Sequence, residues 1–245
     1  MAIAPTGDIF KTLEFDGESS KSYGVYITGE AVYNAPERQV EMITVPGRNG
    51  TLAIDQGRFE NIEVTYPVGC FADNQSDFAA KVRDFRNELA SRFGYKRLVD
   101  TYHPDEFRLG TYSAGLDVGA VGFHNAGEFA IVFDCKPQRF LTSGETVTTM
   151  TSSGTITNPT QFDAKPLIVV TGTGTLTVNG VAITISVSPT TIDCEAMEAY
   201  NGTTSRNSSI TLTPNRFPVL SPGSNSITKT SGISQIKITP RWWRI

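Results

Sequence analysis

The chain has 245 residues, 39% of them hydrophobic and 19% charged, with a formal net charge of −4. That length suits one large domain or two ordinary ones, each able to bury a core, and the composition excludes a disordered chain. No apolar run reaches the ~20 residues that span a bilayer, and the acidic balance argues against nucleic-acid binding as the main role.

The N-terminus has neither a basic start nor an apolar core, so no secretory signal is expected and folding in a reducing cytoplasm is. Cys70, Cys135 and Cys194 each occupy an apolar position of a strand-like alternation, which predicts buried free thiols. Charge is uneven along the chain. Residues 1–140 carry 14 Lys and Arg against 20 Asp and Glu, whereas residues 141–245 carry 7 against 5. The shift falls in the polar stretch 142–154, near Gly144, and predicts one domain over 1–140 and a second over 145–245.

The first domain reads mostly as strands. Leu13–Gly17 and Tyr23–Ile27 alternate apolar and polar residues, another strand starts at Val40, and Leu52–Ile54 resumes after the turn Pro46-Gly47-Arg48-Asn49-Gly50. Ile62 to Cys70 keeps one face apolar, and Pro67, which cannot donate to a ladder, predicts an edge strand or a bulge there. The exception is Ser76–Gly94, where Phe78, Val82, Phe85, Leu89 and Phe93 recur on one helical face. Ser76 is the expected N-cap, Arg92 falls in the expected last turn and Gly94 is the expected stop. A last strand over Glu128–Cys135 presents Phe129, Ile131, Phe133 and Cys135 to one side.

In the second domain, Leu176–Val178 and Val181–Val187 flank Asn179-Gly180, the pair that a type I′ hairpin turn requires. Further short strands are expected at Thr191–Cys194, Ser209–Thr213, Ser226–Thr228 and Gln235–Thr239, a spacing that predicts a β-sandwich or jelly roll. Alternation at the end places Trp242 in the core. Trp243, in a charged register, is a candidate for a domain or subunit contact, or for stacking on a sugar.

The residues that do chemistry are sparse. His103 and His124 lack a second ligand at a metal spacing and read as structural or solvated loop residues. Nothing in sequence surrounds the three cysteines that would lower a thiol pKa. Gly172-Thr173-Gly174 lacks the third glycine and following helix of a phosphate loop, and reads as a strand connection. The sequence nominates no catalytic residue, metal or cofactor, and the expectation is a protein that is not an enzyme.

Several fragments, each short, occur in a recognisable order: Tyr23–Gly29, Pro36-Glu37-Arg38, Pro46–Gly50 with Leu52, Lys136–Arg139, Asn158–Thr160 with Ala164–Pro166, Asp193-Cys194 with Ala199-Tyr200, Phe217-Pro218 with Pro222-Gly223, and Pro240–Trp243. In these the chain resembles the distal tail proteins (Dit) of siphophages that infect Gram-positive bacteria. The resemblance implies a mainly β protein, with an N-terminal tail-tube-like β-sandwich or barrel flanked by one helix and a C-terminal galectin-like jelly roll. It implies a homohexameric ring in the virion, assembled in the host cytoplasm and set at the distal end of the tail as a baseplate hub. Implied partners are the tail-tube protein, a tail-associated lysin or fibre protein, the tape-measure protein and, in some members, a receptor-binding protein, with DNA only in transit. On this reading Glu37–Leu52, a turn on an extended hairpin, is the candidate for ring contact or lumen, with Pro46, Gly47, Arg48, Asn49 and Gly50 at its centre, and the acidic first domain suits a channel wall that does not hold DNA. The alternative is a carbohydrate-binding tail protein that grips a host cell-wall glycan through its C-terminal domain.

Overall fold

The computed structural model describes residues 10–30, 32–121 and 125–245. His124, read above as a loop residue, lies outside them. The chain divides into two compact units, one reaching Arg139 and including Ile245, the other spanning Phe140–Arg244.

The first unit is an antiparallel sheet made of β1 (Leu13–Phe15), β2 (Glu18–Ser19), β3 (Val25–Ile27), β6 (Ile62–Phe71), β7 (Lys96–Asp100), β8 (Glu106–Thr111), β9 (Gly119–Val121) and β10 (Ala126–Cys135). A hairpin of β4 (Arg38–Thr44) and β5 (Thr51–Phe59) forms a sheet of its own. The large sheet runs β2-β1-β7-β8-β10-β6-β3. It curls into a half-barrel whose ends approach at a single bridge, where the Ile27 N–H donates to the Lys11 carbonyl at 2.7 Å, just before β1. Inward side chains fill this small barrel. Val64, Tyr66, Val68 and Cys70 of β6 face Phe129, Ile131, Phe133 and Cys135 of β10, with Phe15 and Leu98 completing the core.

Strand β6 is interior, not an edge. It pairs with β10 along its whole length and with β3 at Val68–Cys70. Pro67 is tolerated because β3 ends at Ile27. The Pro67 carbonyl still accepts the Thr28 N–H at 2.9 Å, and the missing donor falls where the neighbouring strand departs.

The helix predicted over Ser76–Gly94 is α1 (Gln75–Ser91). Asn74 caps it in place of Ser76, its side-chain oxygen accepting the Asp77 N–H at 3.0 Å, and Arg92 lies past the last turn as the C-cap. Phe78, Phe85 and Leu89 are buried, and Val82 packs against the same core. Phe93 is 96% exposed because the helix stops before it. Phe85 lies against Tyr23 and Phe129, ring centroids 5.5 and 6.3 Å apart, and so joins the helix to the barrel.

One feature of the barrel opposes folding. Arg108 is 6% exposed, and neither Nη1 nor Nη2 has a hydrogen-bond partner. Glu106, on the same strand, is already paired with Arg139 at 3.5 Å. Burial lowers the Arg108 pKa, and the neighbouring Arg139 charge lowers it further.

The second unit is a sandwich of two sheets sharing one core. The β11 segment (Arg139–Leu141) and β23 (Trp243–Arg244) pair at its end. One sheet orders β12 (Thr148–Met150), β22 (Ile233–Thr239), β14 (Leu167–Gly172), β17 (Thr190–Asp193), β18 (Glu198–Asn201) and β19 (Thr204–Ser205). The other orders β13 (Gly154–Asn158), β21 (Gly223–Lys229), β15 (Gly174–Val178), β16 (Val181–Ile185) and β20 (Ile210–Thr213). Ile168, Val170, Ile192, Ile236 and Ile238 from the first meet Leu176, Val178, Ile183, Ile185 and Ile227 from the second. Asn179 (φ 47°) and Gly180 (φ 79°) form the β15–β16 turn with both residues left-handed. Gly172 and Gly174 connect β14 to β15, where a Cβ on Gly172 would lie 2.2 Å from the Gly232 carbonyl oxygen. The polar stretch near Gly144 lies inside this unit.

Two outcomes test this packing. Phe85→Ala should cost about 3–5 kcal/mol in chemical denaturation, the range for an aromatic removed from a core. Arg108→Met should instead raise stability by about 1–3 kcal/mol, because it removes a buried, unsatisfied cation while keeping most of its volume.

Candidate functional site

The β4–β5 hairpin is built as an arm. At its tip, Pro46 and Gly47 (φ 80°) occupy the centre of a type II turn in which the Arg48 N–H donates to the Val45 carbonyl at 3.2 Å. The ladder pairs Thr44 with Thr51, Ile43 with Leu52, Met42 with Ala53, Glu41 with Ile54 and Val40 with Asp55. Its register shifts between Arg38 and Val40, opposite Gly57 (φ 72°), so the base of the arm is bulged.

Side chains alternate across this ladder, and both faces carry apolar groups. Val40, Met42 and Ala53 share one face with the Arg38–Asp55 ion pair. Ile43, Val45, Leu52 and Ile54 share the other with Glu41, to which Gln56 donates at 3.2 Å. All six large apolar residues are exposed, Met42 at 61%. The Arg38 guanidinium, then the Gly57 N–H, hold the Asp55 carboxyl down at about 2. From Arg38 to Phe59 the arm carries Arg38, Arg48 and Arg58 against Glu41 and Asp55, so the acidic excess of the first unit lies elsewhere. The sequence reading reached Glu37–Leu52 as a turn on an extended hairpin, but not its two apolar faces. The missed signal was Val40-Glu41-Met42-Ile43-Thr44-Val45, where apolar residues occupy both parities of one strand and imply two faces to be covered.

Trp243 is half-buried and engaged within its own unit. Its ring stacks on Phe162 at 4.4 Å, and its Nε1–H donates to the Asp163 carbonyl at 2.9 Å. Trp242 is buried in the core, as its register predicts. The two part company because burial goes on alternating through Pro240, Arg241, Trp242 and Trp243, although the backbone turns through φ 60° at Arg241. That turn is clamped by Asp193, whose two oxygens accept from Arg241 Nη1 and Nη2 at 2.7 and 2.9 Å. Asn158, buried beneath the same loop, donates to the Phe162 and Leu220 carbonyls.

The remaining candidates for chemistry are tied into structure. His103 Nδ1 lies 3.1 Å from Asp100 Oδ1, while Asp100 Oδ2 accepts from the Tyr66 hydroxyl at 2.9 Å. Burial pushes the Cys70 thiol up to about 11 and those of Cys135 and Cys194 to about 12. These thiols are protonated and poor nucleophiles at neutral pH. Among the described residues, no three His, Cys, Asp or Glu side chains are grouped to hold a metal ion. A shallow cleft of roughly 250 Å³ at the β18–β19 hairpin is lined by Glu198, Ala199, Tyr200, Gly202, Thr203 and Ser205.

Against known proteins, residues 19–135 match the phage tail protein RIFT-related domain. The whole chain superposes on the SPP1 Dit protein, described as a paradigm of the hub adsorption apparatus in phages infecting Gram-positive bacteria. The TM-score is 0.74 at 13% identity, over 96% of this chain and 99% of that one. The chain has the Dit fold. It also aligns with a chain of the phage P2 baseplate in its activated conformation with Ca (TM-score 0.52, 10% identity, 94% of this chain and 98% of that one). The same baseplate with Sr gives 0.51 at 11% identity, over 96% and 98%. No curated protein matches the chain. The likeness to distal tail proteins read from scattered fragments thus holds across the fold.

The Dit-like second unit offers a test at its clamp. The Arg241 hydrogen bonds hold the Asp193 pKa below its usual value. A carboxylate with a depressed folded pKa stabilises fully above its unfolded value, near 4, and that contribution is lost as pH falls through the folded value. Asp193→Asn should therefore lower stability at neutral pH by about 1–3 kcal/mol, and the gap to wild type in denaturation curves should shrink below about pH 4.

Proposed function

We propose that this protein is a non-catalytic hub at the distal end of a phage tail, six copies forming a ring that joins the tail tube to the adsorption apparatus around a channel for DNA. The observation that carries this reading is the arm. A two-stranded sheet alone is at best marginally stable in water, and among the described residues this one has no further strand at either outer edge and leaves apolar side chains exposed on both faces. Neighbouring copies supply what it lacks: strand addition satisfies the edges, and packing covers the faces. Such a contact is heterologous, so it closes into a ring when the rotation between copies divides a full turn. The number six, and the partners above and below (tube protein, tape-measure protein, lysin or fibre protein, in some cases a receptor-binding protein), follow the Dit resemblance. In the virion DNA passes through without a sequence-specific contact.

The test is native mass spectrometry and negative-stain imaging of the full chain, alone and mixed with its tube and fibre neighbours. Wild type should form rings in at least the mixture. Met42→Asp combined with Ile54→Asp, one on each face of the arm, should abolish them while leaving the melting temperature of the monomer unchanged. Rings that persist in this variant, or a wild type that stays monomeric with every neighbour and is missing from virions, would refute the reading.

A second reading, glycan binding by the C-terminal unit, draws on the cleft at β18–β19, whose lining includes Glu198, Tyr200, Thr203 and Ser205. Binding on a cell-wall glycan array that is lost in Tyr200→Ala, with rings unaffected, would establish it.

A further inference from the structure

Three Asn-Gly pairs occur in this chain, at Asn49-Gly50, Asn179-Gly180 and Asn201-Gly202, and the fold treats them differently. Asn179 is locked. Its Nδ2 donates to the Val219 carbonyl and to Asn225 Oδ1, its Oδ1 accepts the Ser226 N–H at 3.0 Å, and its own N–H donates to the Ser226 carbonyl at 3.0 Å. Asn201 is half-buried and its backbone is held in the β18–β19 ladder opposite Thr204. Asn49 has none of this. It and Gly50 are exposed, lie beyond the last ladder pair of the arm, and make no hydrogen bond among the described residues. Gly50 has open space around its Cα, with nothing within 4 Å of where a Cβ would stand.

We infer that Asn49 is a self-modification site, which converts without an enzyme to a mixture of aspartyl and isoaspartyl residues. The backbone nitrogen of Gly50, its proton lost to solvent base, attacks Cγ of Asn49. The Cγ–Nδ2 bond breaks, the amide nitrogen leaves as ammonia and a five-membered succinimide closes. One water then opens either ring carbonyl. Attack at Cγ breaks its bond to the Gly50 nitrogen and gives the normal aspartyl residue, whereas attack at the main-chain carbonyl carbon of residue 49 breaks that C–N bond and leaves the isoaspartyl form; in both the neutral amide is replaced by a carboxylate. The ring can close only if the side chain and the following peptide rotate toward each other. At Asn49 solvent is the sole opponent of that rotation, and glycine offers no Cβ to block it. At Asn179 the same rotation must first break the hydrogen bonds to Val219, Asn225 and Ser226, which slows the reaction by at least about tenfold.

The product places a negative charge next to Arg48 at the tip of the arm, and the isoaspartyl form also lengthens the backbone there by one carbon. A ring contact at the tip would cover Asn49, so the ageing is also run on Met42→Asp combined with Ile54→Asp, which on that reading forms no ring, and there the failure of this inference and the failure of the ring reading are separable. The experiment is to age the full chain in mildly alkaline buffer and follow it by ion-exchange chromatography and peptide mapping. The peptide holding Asn49 should gain the mass of replacing NH₂ by OH at least about tenfold faster than the peptide holding Asn179, with Asn201 also slower than Asn49. The acidic species that accumulates in wild type should be largely missing from Asn49→Gln. Equal conversion at all three sites, faster conversion at Asn179 or Asn201, or an acidic species undiminished in Asn49→Gln would each overturn the assignment.

Discussion

The ladder between β6 and β10, ten residues on each side, is the contact on which the rest of the molecule hangs. Its inward side chains form the wall of the barrel core, and each end of β6 launches another functional part. The arm runs into its start through Phe59 and Ile62, and α1 follows its end after Phe71. Strands β6 and β10 are paired along their length and closed to outside strands. Among the described residues, the arm is a sheet of two strands only, with apolar side chains exposed on both faces. The buried ladder and the open arm are thus two sides of one arrangement.

The barrel also shows that stability is not the sole constraint on its residues. Arg108 sits in the core with its terminal nitrogens unsatisfied, while Glu106 serves Arg139 and Asp100 serves Tyr66 and His103. The acids near Arg108 are therefore already engaged. The contrast with Asp193 and Arg241 is instructive: there the geometry is bidentate, the carboxylate also receives two backbone N–H groups, and the pair shapes a left-handed turn. One buried cation costs stability, whereas the other, half-exposed and fully paired, positions the segment that carries both tryptophans.

Much of the fold was legible in the sequence because the signals were local. The helix showed as a 3.6-residue period, the β15–β16 hairpin as Asn-Gly between alternating runs, and the buried thiols as apolar positions in strands. The exceptions have local causes too. Asn74 outcompeted Ser76 as N-cap because its oxygen reaches the Asp77 N–H, and ending the helix at Ser91 threw Phe93 out of the stripe. Pro67 pointed to an edge on sound chemistry, yet an interior strand can hold a proline where its neighbour stops.

The candidate site was legible as a turn on an extended hairpin, Glu37–Leu52, but not as an arm with two uncovered faces. Pro46 to Gly50 announced a turn by its residues alone, since proline and glycine dictate φ whatever surrounds them. That the strands on either side leave the barrel as a separate sheet depends on which strands β6 and β3 choose as partners, and pairing across long sequence separations is not encoded in any short window. The same holds for Trp243, whose neighbour Phe162 lies far away in the chain. Sequence determined the local elements, the reduced thiols and the turn chemistry, because those follow from residue type and spacing. Only the tertiary structure decided which apolar faces are covered and which are left for a partner, because burial is a property of what packs against a strand and not of the strand itself.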